Sequence, residues 1–246
     1  MNQNADKIET CSQMHKTKVL TVQFQNHIAQ SEVSAFRGAI NAALPLPDVA
    51  YHNHNSDGSF NYEYPHVQYK RIGGKAAIVW IDKEIQKIGD FLYNCDFDIN
   101  IGDRELHLDL AQVRREELLV QIEDCFFTYT LRKWLSLNQE NYKEYGKLEG
   151  LAEQCAFLES ILIGNMLSFA KGIDVHFDGQ VKAHILAIDN VRTYRYKDKL
   201  LQGFDIIFKS NVNLPDYIGL GQKVSEGFGM VKKMEENTER EEDDSL

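Results

Sequence analysis

Two histidines separated by one residue are the strongest candidates for chemistry in this sequence. His52 and His54 lie in the polar stretch YHNHNSDGSFNYEYPHVQYK, residues 51–70, which also holds a third histidine and four tyrosines. Imidazole exchanges protons near neutral pH, so paired histidines in a polar loop are suited to general acid and base catalysis. Two other interpretations stay open: the pair is an ordinary surface feature, or it chelates a metal ion.

A metal site needs at least a third ligand, and no side chain stands at a recognisable spacing to provide one. The scattered candidates are Asp57, His66, His27, His107, His176 and His184. Metal binding therefore ranks behind acid-base chemistry, and we expect no metal and no cofactor. The four cysteines form no CxxC pair, which predicts reduced thiols rather than zinc or redox chemistry.

The stretch DYIGLGQKVSEGFGMVKK, residues 216–233, is a second candidate site because it holds four glycines. Ordering a glycine costs roughly 0.5–1 kcal/mol more than ordering an alanine, so this clustering indicates unusual dihedrals or a close approach by another group. Successive amides without a Cβ can form a nest for a phosphate. The alternative is a tight loop that closes against the rest of the protein. The candidate phosphate contacts are Gly219, Gly221, Lys223, Gly227 and Gly229.

Short basic runs supply further candidate contacts to a nucleic acid. They are QYKRIGGK, residues 68–75, and RTYRYKDK, residues 192–199, in which arginines alternate with tyrosines. Arginine and tyrosine together suit phosphate contacts combined with base stacking, although the tyrosines are equally compatible with one packed face of a strand. The candidate contacts from these runs are Lys70, Arg71, Arg192 and Arg195.

The elements that position these residues follow an ordered pattern. Residues 16–25 alternate as a half-buried strand, residues 31–44 read as an amphipathic helix that begins at Ser31, and Gly73–Gly74 predict a primed hairpin turn. Residues 83–94 predict a second helix, and the strand-like stretches DFDINIG and ELHLDLAQV follow. The order strand, helix, hairpin, helix, strand is that of the βαββαβ unit.

The second half repeats this theme in longer pieces. ELLVQIE and CFFTYTLRKWLSL predict strands, residues 147–173 predict a helix with apolar side chains at spacings of three and four, and the strands HFDGQVKAHILAI and LLQGFDIIFKSN follow. We therefore predict an α+β fold with two tandem ferredoxin-like (RRM-like) domains. The predicted divisions are residues 1–112, residues 113–234 with the glycine-rich loop, and an acidic disordered tail at 235–246.

Composition and charge set the remaining limits. The 246 residues, 43% of them hydrophobic, can fill one large or two smaller globular cores. No run of eighteen apolar residues and no signal-peptide layout is present, so we expect a cytoplasmic protein that does not bind a membrane. The formal net charge of -10 argues against a polyanionic partner, but the acidic tail accounts for -6 of it. A local basic groove on an acidic protein remains compatible with this distribution.

Together these stretches carry a resemblance to a known family. GLGQKVSEGFGMV near the C-terminus resembles the glycine-rich loop of the RAMP superfamily of CRISPR-associated proteins. With HNHNSDGSFNYEYPHVQYK after the first helix, the chain resembles the CRISPR-associated endoribonucleases that cut precursor repeat RNA into guide RNAs. The resemblance spans the chain in outline, from the tandem ferredoxin-like halves to the C-terminal loop.

The resemblance implies a metal-independent cleavage in which a 2′-hydroxyl attacks the adjacent phosphate and leaves a 2′,3′-cyclic phosphate and a 5′-hydroxyl. One subgroup of that family has two histidines separated by one residue at this position, assisted by a nearby tyrosine. It thus implies His54 as the main proton-transfer residue, His52 as its partner, and Tyr62 or Tyr64 as an orienting group.

Other residues and partners follow from the same resemblance. Some family members carry a histidine near the first strand, which makes His27 a competing candidate beside its interpretation as an ordinary loop histidine, whereas His66 is predicted to be structural. The implied partner is CRISPR repeat RNA, with a CRISPR effector complex and a homodimer as further possibilities. Two alternative functions stay open: a noncatalytic RNA-binding RAMP subunit, and a metal-dependent nuclease that uses the HxH pair.

Overall fold

The first half of the chain is a four-stranded antiparallel sheet with helices on one face. The computed structural model describes residues 16–44, 63–196 and 199–235. Its strands lie in the order β2-β3-β1-β6, which is the arrangement of a ferredoxin-like βαββαβ unit. The elements are β1 (Thr17–His27), α1 (Val33–Ala43), β2 (Val67–Ile72), β3 (Lys75–Ile81), α2 (Ile88–Asn94), β4 (Asp98–Ile101), β5 (Arg104–His107) and β6 (Leu110–Leu118).

The second half repeats the same strand order with one helix replaced. Its sheet runs β10-β7-β9-β8, and residues 213–229, which include the glycine-rich stretch, occupy the place of the second helix. The elements are β7 (Ile122–Trp134), α3 (Gln139–Tyr145), α4 (Leu151–Gly172), β8 (Ala183–Tyr196), β9 (Lys199–Val212) and β10 (Met230–Lys233). The predicted α+β fold with tandem ferredoxin-like halves is therefore confirmed.

The two sheets divide after β6. This strand pairs with β1 from Thr17↔Leu118 to Phe24↔Leu110, so the predicted border between residues 112 and 113 falls inside a strand of the first sheet. The stretch ELLVQIE, predicted as one strand of the second half, is accordingly split between β6 and β7. β4 and β5, which lie in the strand-like stretches DFDINIG and ELHLDLAQV, form a separate two-stranded sheet.

The first sheet is covered on both faces along part of its length. On one face Leu20, Val22 and Phe24 pack with α1, whose buried residues include Phe36 and Ile40. On the other face Val19, Val79 and Ile81 belong to the apolar cluster of the second half. The half-buried strand predicted from alternation is thus buried on both sides where the two halves meet. Gly73 and Gly74 both have positive φ, as a primed hairpin turn requires.

The long helix of the second half is shorter than the predicted span of 147–173. It begins after Gly150, and a separate helix, α3, ends at Tyr145. The predicted stripe is buried at Leu158, Leu162, Met166 and Phe169, but Leu151 at its start is 69% exposed. None of the helices in the described ranges is long and apolar enough to cross a membrane.

Candidate functional site

The predicted catalytic residues His52, His54 and Tyr62 lie outside the described residues. The chain is described again from Glu63, and Tyr64 is held firmly there. Its hydroxyl donates to the carbonyl oxygen of Gly219 (2.8 Å) and accepts from Gln68 Nε2 (2.9 Å), while its ring packs on Phe169 with centroids 5.1 Å apart. Burial raises the pKa of Tyr64 well above its ordinary value. Tyr64 therefore anchors the segment before β2 to Gly219, at the start of the glycine-rich loop.

Residues 219–229, called the glycine loop from here on, turn tightly and pack against the protein itself. Gly229 has a φ of +64°, and a Cβ there would overlap the carbonyl oxygen of Leu220. Gly227, with a φ of +86°, lies so close to α1 that its Cβ would stand 2.9 Å from Cγ1 of Val33. The packing interpretation thus accounts for both glycines, and Gly219 and Gly221 also lie against protein atoms.

The glycine loop covers the edge of the first sheet. The amide of Tyr69 on β2 donates to the carbonyl oxygen of Ser225 (3.2 Å), and Tyr69 pairs in parallel with Glu226. From α1, the Ser34 hydroxyl donates to Glu226 Oε2 (3.1 Å) and Arg37 Nη1 donates to the Ser225 hydroxyl (3.2 Å). A segment of the second half therefore completes an edge strand that would otherwise be open.

Lys70 lies beneath this loop and not on the surface. Its side chain is fully buried, and its Nζ donates to the carbonyl oxygen of Val224 (3.0 Å) and reaches that of Phe228 (3.5 Å). Burial lowers the pKa of Lys70 to about 7, because an ammonium group loses its hydration there. This corrects the prediction that Lys70 contacts RNA directly: it holds the glycine loop from inside.

Lys223 marks the outer side of the glycine loop. Its Nζ lies 4.4 Å from the ring centroid of Tyr196 on β8, donates to the hydroxyl of Tyr196 (3.3 Å), and lies 3.9 Å from Glu226 Oε1. The side chain is 37% exposed, so part of it faces solvent on the outer side of the loop. Burial and the neighbouring Glu226 carboxylate raise the pKa of Tyr196 to about 12.

Three cationic side chains near the glycine loop interact electrostatically. Arg71, at the end of β2, donates from Nε to the carbonyl oxygen of Ile28 (2.7 Å) and is exposed. Arg192 on β8 is also exposed. Lys133 reaches the same segment as Arg71, because its Nζ donates to Oε1 of Gln30, two residues after Ile28. Its pKa is lowered to about 8, mainly by burial and next by the charge of Arg71, with Arg192 adding to the effect. Two predicted contacts, Arg71 and Arg192, thus act electrostatically on a third cation.

Lys133 was missed by the sequence reasoning, and no local signal would have found it. It lies in a stretch that reads as a continuous strand, whereas β7 changes register between Leu131 and Trp134. Lys133 has a φ of +54° at this irregularity. A bulge of this kind redirects a side chain, and neither periodicity nor composition indicates where it occurs.

The remaining predicted contact on β8, Arg195, is not brought into this group. Side chains alternate along a strand, so Arg192, Tyr194 and Tyr196 share one face of β8 and Arg195 projects from the other. The tyrosines pack against the glycine loop: the ring of Tyr194 meets that of Phe228 edge-on at 5.4 Å. Their interpretation as one packed face of a strand is therefore supported.

Two of the histidines that the sequence singled out, His66 and His27, lie within the described residues. The ring nitrogens of His66 face the carbonyl oxygens of Gly172 (2.8 Å) and Ile81 (3.3 Å), which ties the two halves together and supports a structural role. His27 is exposed at the end of β1, and its ring lies beside Gly74 together with the guanidinium of Arg71. Within residues 16–44, 63–196 and 199–235, no three histidine, cysteine or acidic residues are grouped closely enough to hold a metal ion.

Fold and site together define a protein of two ferredoxin-like halves that a C-terminal glycine loop joins. Comparisons with known proteins refine this class. Residues 15–118 match the model of the Cas6b N-terminal domain and residues 121–234 that of the Cas6b C-terminal domain. The chain therefore belongs to the Cas6b family. The resemblance to CRISPR-associated RAMP proteins is confirmed, and the two matches meet where the sheets divide.

One relative and two solved structures show further similarity to this chain. An uncharacterized protein of Methanocaldococcus jannaschii is 37% identical over 126 residues, which cover 51% of this chain and 84% of that protein. A crystal structure of Cas6b is similar with a TM-score of 0.80, at 24% identity over 89% of this chain and 100% of that one. A crystal structure titled CRISPR RNA processing endoribonuclease Cas6b gives a TM-score of 0.67 at 22% identity, again over 89% and 100%.

Proposed function

We propose that this protein is an endoribonuclease that cleaves CRISPR precursor RNA within the repeat and binds the guide RNA product. One observation carries the proposal: both halves match models of the Cas6b family, and one similar structure of that family is titled a CRISPR RNA processing endoribonuclease. The glycine loop and the exposed cations beside it provide a surface suited to a phosphate backbone.

The proposed reaction is an attack by the 2′-hydroxyl on the adjacent phosphorus. The new O2′–P bond forms as the P–O5′ bond breaks, which yields a 2′,3′-cyclic phosphate and a 5′-hydroxyl. A base takes the proton of the 2′-hydroxyl, and an acid supplies a proton to the departing 5′-oxygen. We assign these proton transfers to His54, with His52 as its partner and Tyr62 as an orienting group. Neighbouring cations offset the negative charge that develops on the phosphate.

Contacts among the described residues support a site shared between the histidine stretch and the glycine loop. Tyr64 follows the paired histidines in the chain and donates to the carbonyl oxygen of Gly219 at the start of the loop. Lys223 is exposed on that loop, and Arg71 follows on the same strand as the buried Lys70. An RNA strand that passes Lys223 and Arg71 would therefore lie near the point where the histidine stretch ends. The hydroxyl of Tyr64 is engaged by Gly219, which favours Tyr62 as the orienting tyrosine.

The decisive experiment incubates the purified chain with its repeat RNA in excess EDTA and maps the product ends. We expect one cut in the repeat, a 2′,3′-cyclic phosphate and a 5′-hydroxyl. A 2′-deoxy substitution at the mapped cut should abolish cleavage, because it removes the attacking oxygen. Activity that is lost in EDTA and restored by Mg²⁺ or Mn²⁺ would instead favour the metal-dependent alternative.

Histidine variants distinguish the nuclease from a noncatalytic RNA-binding subunit. The double variant His52→Ala/His54→Ala should lose at least about 100-fold in cleavage rate, since general acid-base catalysis contributes roughly that much or more, and should still bind the RNA. Cleavage by the double variant at the rate of the unaltered protein would contradict the mechanism. A homodimer and membership of an effector complex are further proposals, which light scattering and co-purification with and without RNA would test.

A further inference from the structure

We propose that Lys133, Arg71 and Arg192 form a binding site for one RNA phosphate at the junction of the two halves. The inference rests on the proposed function, because RNA supplies the phosphate. It adds a residue that neither the glycine loop nor the histidine stretch contains.

Three different elements hold the proposed site in place. Arg71 comes from the end of β2, Lys133 from the bulge of β7, and Arg192 from β8. The backbone of Lys133 is fixed on both sides: its amide donates to Asp205 Oδ1 (2.7 Å), and its carbonyl oxygen accepts from the amide of Gly229 (3.0 Å). The site is therefore built into the contact between the glycine loop and the second sheet.

The charges at this site are unbalanced in favour of an anion. The charged groups that act on the Lys133 ammonium are Arg71 from the first half, Arg192 from β8 and Asp205 from β9. Lys133 Nζ itself donates to the neutral Oε1 of Gln30. Within the described ranges none of the three cations forms an ion pair with a carboxylate. The carboxylate of Asp205 accepts from the backbone amide of Lys133 and not from its ammonium. The titratable side chain of His27 also lies in this region, since both it and the Arg71 guanidinium approach Gly74.

Crowding of these cations makes the proposed contact sensitive to pH. In the free protein the pKa of Lys133 is about 8, against an ordinary value of 10.5. A bound phosphate brings negative charge next to the ammonium and raises that pKa again. At a pH between the pKa of Lys133 in the free protein and its pKa in the complex, Lys133 takes up a proton when RNA binds. The affinity for RNA is therefore highest below pH 8 and falls above it. If the phosphate restores the ordinary value, affinity falls about tenfold between about pH 7 and pH 9.

The test measures affinity for a repeat RNA that carries a 2′-deoxy substitution at the mapped cut, by fluorescence anisotropy across pH and salt. Lys133→Arg keeps the charge at all these pH values. It should bind within a few-fold of the unaltered protein at about pH 7 and lose the decrease toward about pH 9. Lys133→Met should bind more weakly at about pH 7, show a salt slope smaller by roughly 1, and lose the same pH dependence.

Two further variants keep the test decisive. Lys143→Met removes an exposed lysine on α3, on the helical side of the second sheet, and should change neither the salt slope nor the pH dependence. Arg192→Gln removes an exposed neighbour that lowers the pKa of Lys133, so the fall in affinity should move to higher pH. Arg192→Gln therefore tests the electrostatic coupling to Lys133 even if Lys133→Met does not fold.

The outcomes separate the two proposals. If the unaltered protein does not bind its repeat RNA at low salt, the proposed function fails and the phosphate site fails with it. If the unaltered protein binds but both Lys133 variants keep its affinity, salt slope and pH dependence, the phosphate site alone is refuted.

Discussion

Replacing Lys70 with methionine is expected to change how the stability of this protein depends on pH. In the folded protein the buried amine has a pKa of about 7, compared with an ordinary value of 10.5. The unfolded chain therefore binds the proton more tightly, so the free energy of unfolding rises with pH between these two values. The slope for one such group is about 1.4 kcal/mol per pH unit, which amounts to about 2 kcal/mol between about pH 7 and pH 9.

Methionine removes both the amine and its hydrogen bond. It relieves the cost of enclosing an ammonium group at low pH, but it leaves the buried carbonyl oxygen of Val224 without its donor, at a cost of about 1–3 kcal/mol. The stability lost in Lys70→Met should thus increase by about 2 kcal/mol from about pH 7 to pH 9. Below about pH 7 the variant approaches or exceeds the stability of the unaltered protein.

Urea unfolding at several fixed pH values, followed by circular dichroism, measures this difference. Other groups titrate in the same range, among them Lys133 and Cys95, but their contributions cancel when the variant is subtracted from the unaltered protein. Lys143→Met is the matched control, and its difference from the unaltered protein should stay constant with pH. A Lys70→Met difference that stays constant within about 0.5 kcal/mol over the same range would show that the amine is not enclosed.

Two other substitutions test the glycine loop and its anchor. Gly229→Ala should destabilise the protein by at least about 2 kcal/mol in urea unfolding, because its Cβ would overlap the carbonyl oxygen of Leu220 at a positive φ. The control is Gly164→Ala, which lies in a helix with open space around it and should be neutral or stabilising by up to about 1 kcal/mol. An undiminished stability of Gly229→Ala would contradict the described loop. Tyr64→Phe leaves the carbonyl oxygen of Gly219 without the Tyr64 donor, while Gln68 Nε2 keeps its bond to the carbonyl oxygen of Pro65. The variant should cost about 1–3 kcal/mol of stability, yet slow RNA cleavage less than tenfold in assays of the fully folded variant. A loss above about 100-fold would mean that the Tyr64 hydroxyl takes part in the reaction.

Local pattern was sufficient for much of the fold. The amphipathic pattern of residues 31–44 predicted a helix with one buried face, which in α1 holds Val33, Phe36 and Ile40. The pair Gly73–Gly74 predicted the hairpin turn. These features depend on residues within one or two turns of each other, so the chain encodes them locally. The order of the elements then restricted the topology to tandem ferredoxin-like halves, because few connections join such a series.

The candidate site depended on contacts between distant parts of the chain. Lys70 and Arg71 are adjacent in a basic run, yet one is buried under the glycine loop and the other is exposed. A bulge in β7 sets the position of the Lys133 side chain, and pairing with β1 places β6 in the first sheet. The sequence by itself determined which residues share a face of a strand or helix. Only the tertiary structure decided what covers each face, because that depends on segments far apart in the chain, and burial and charge at each side chain follow from it.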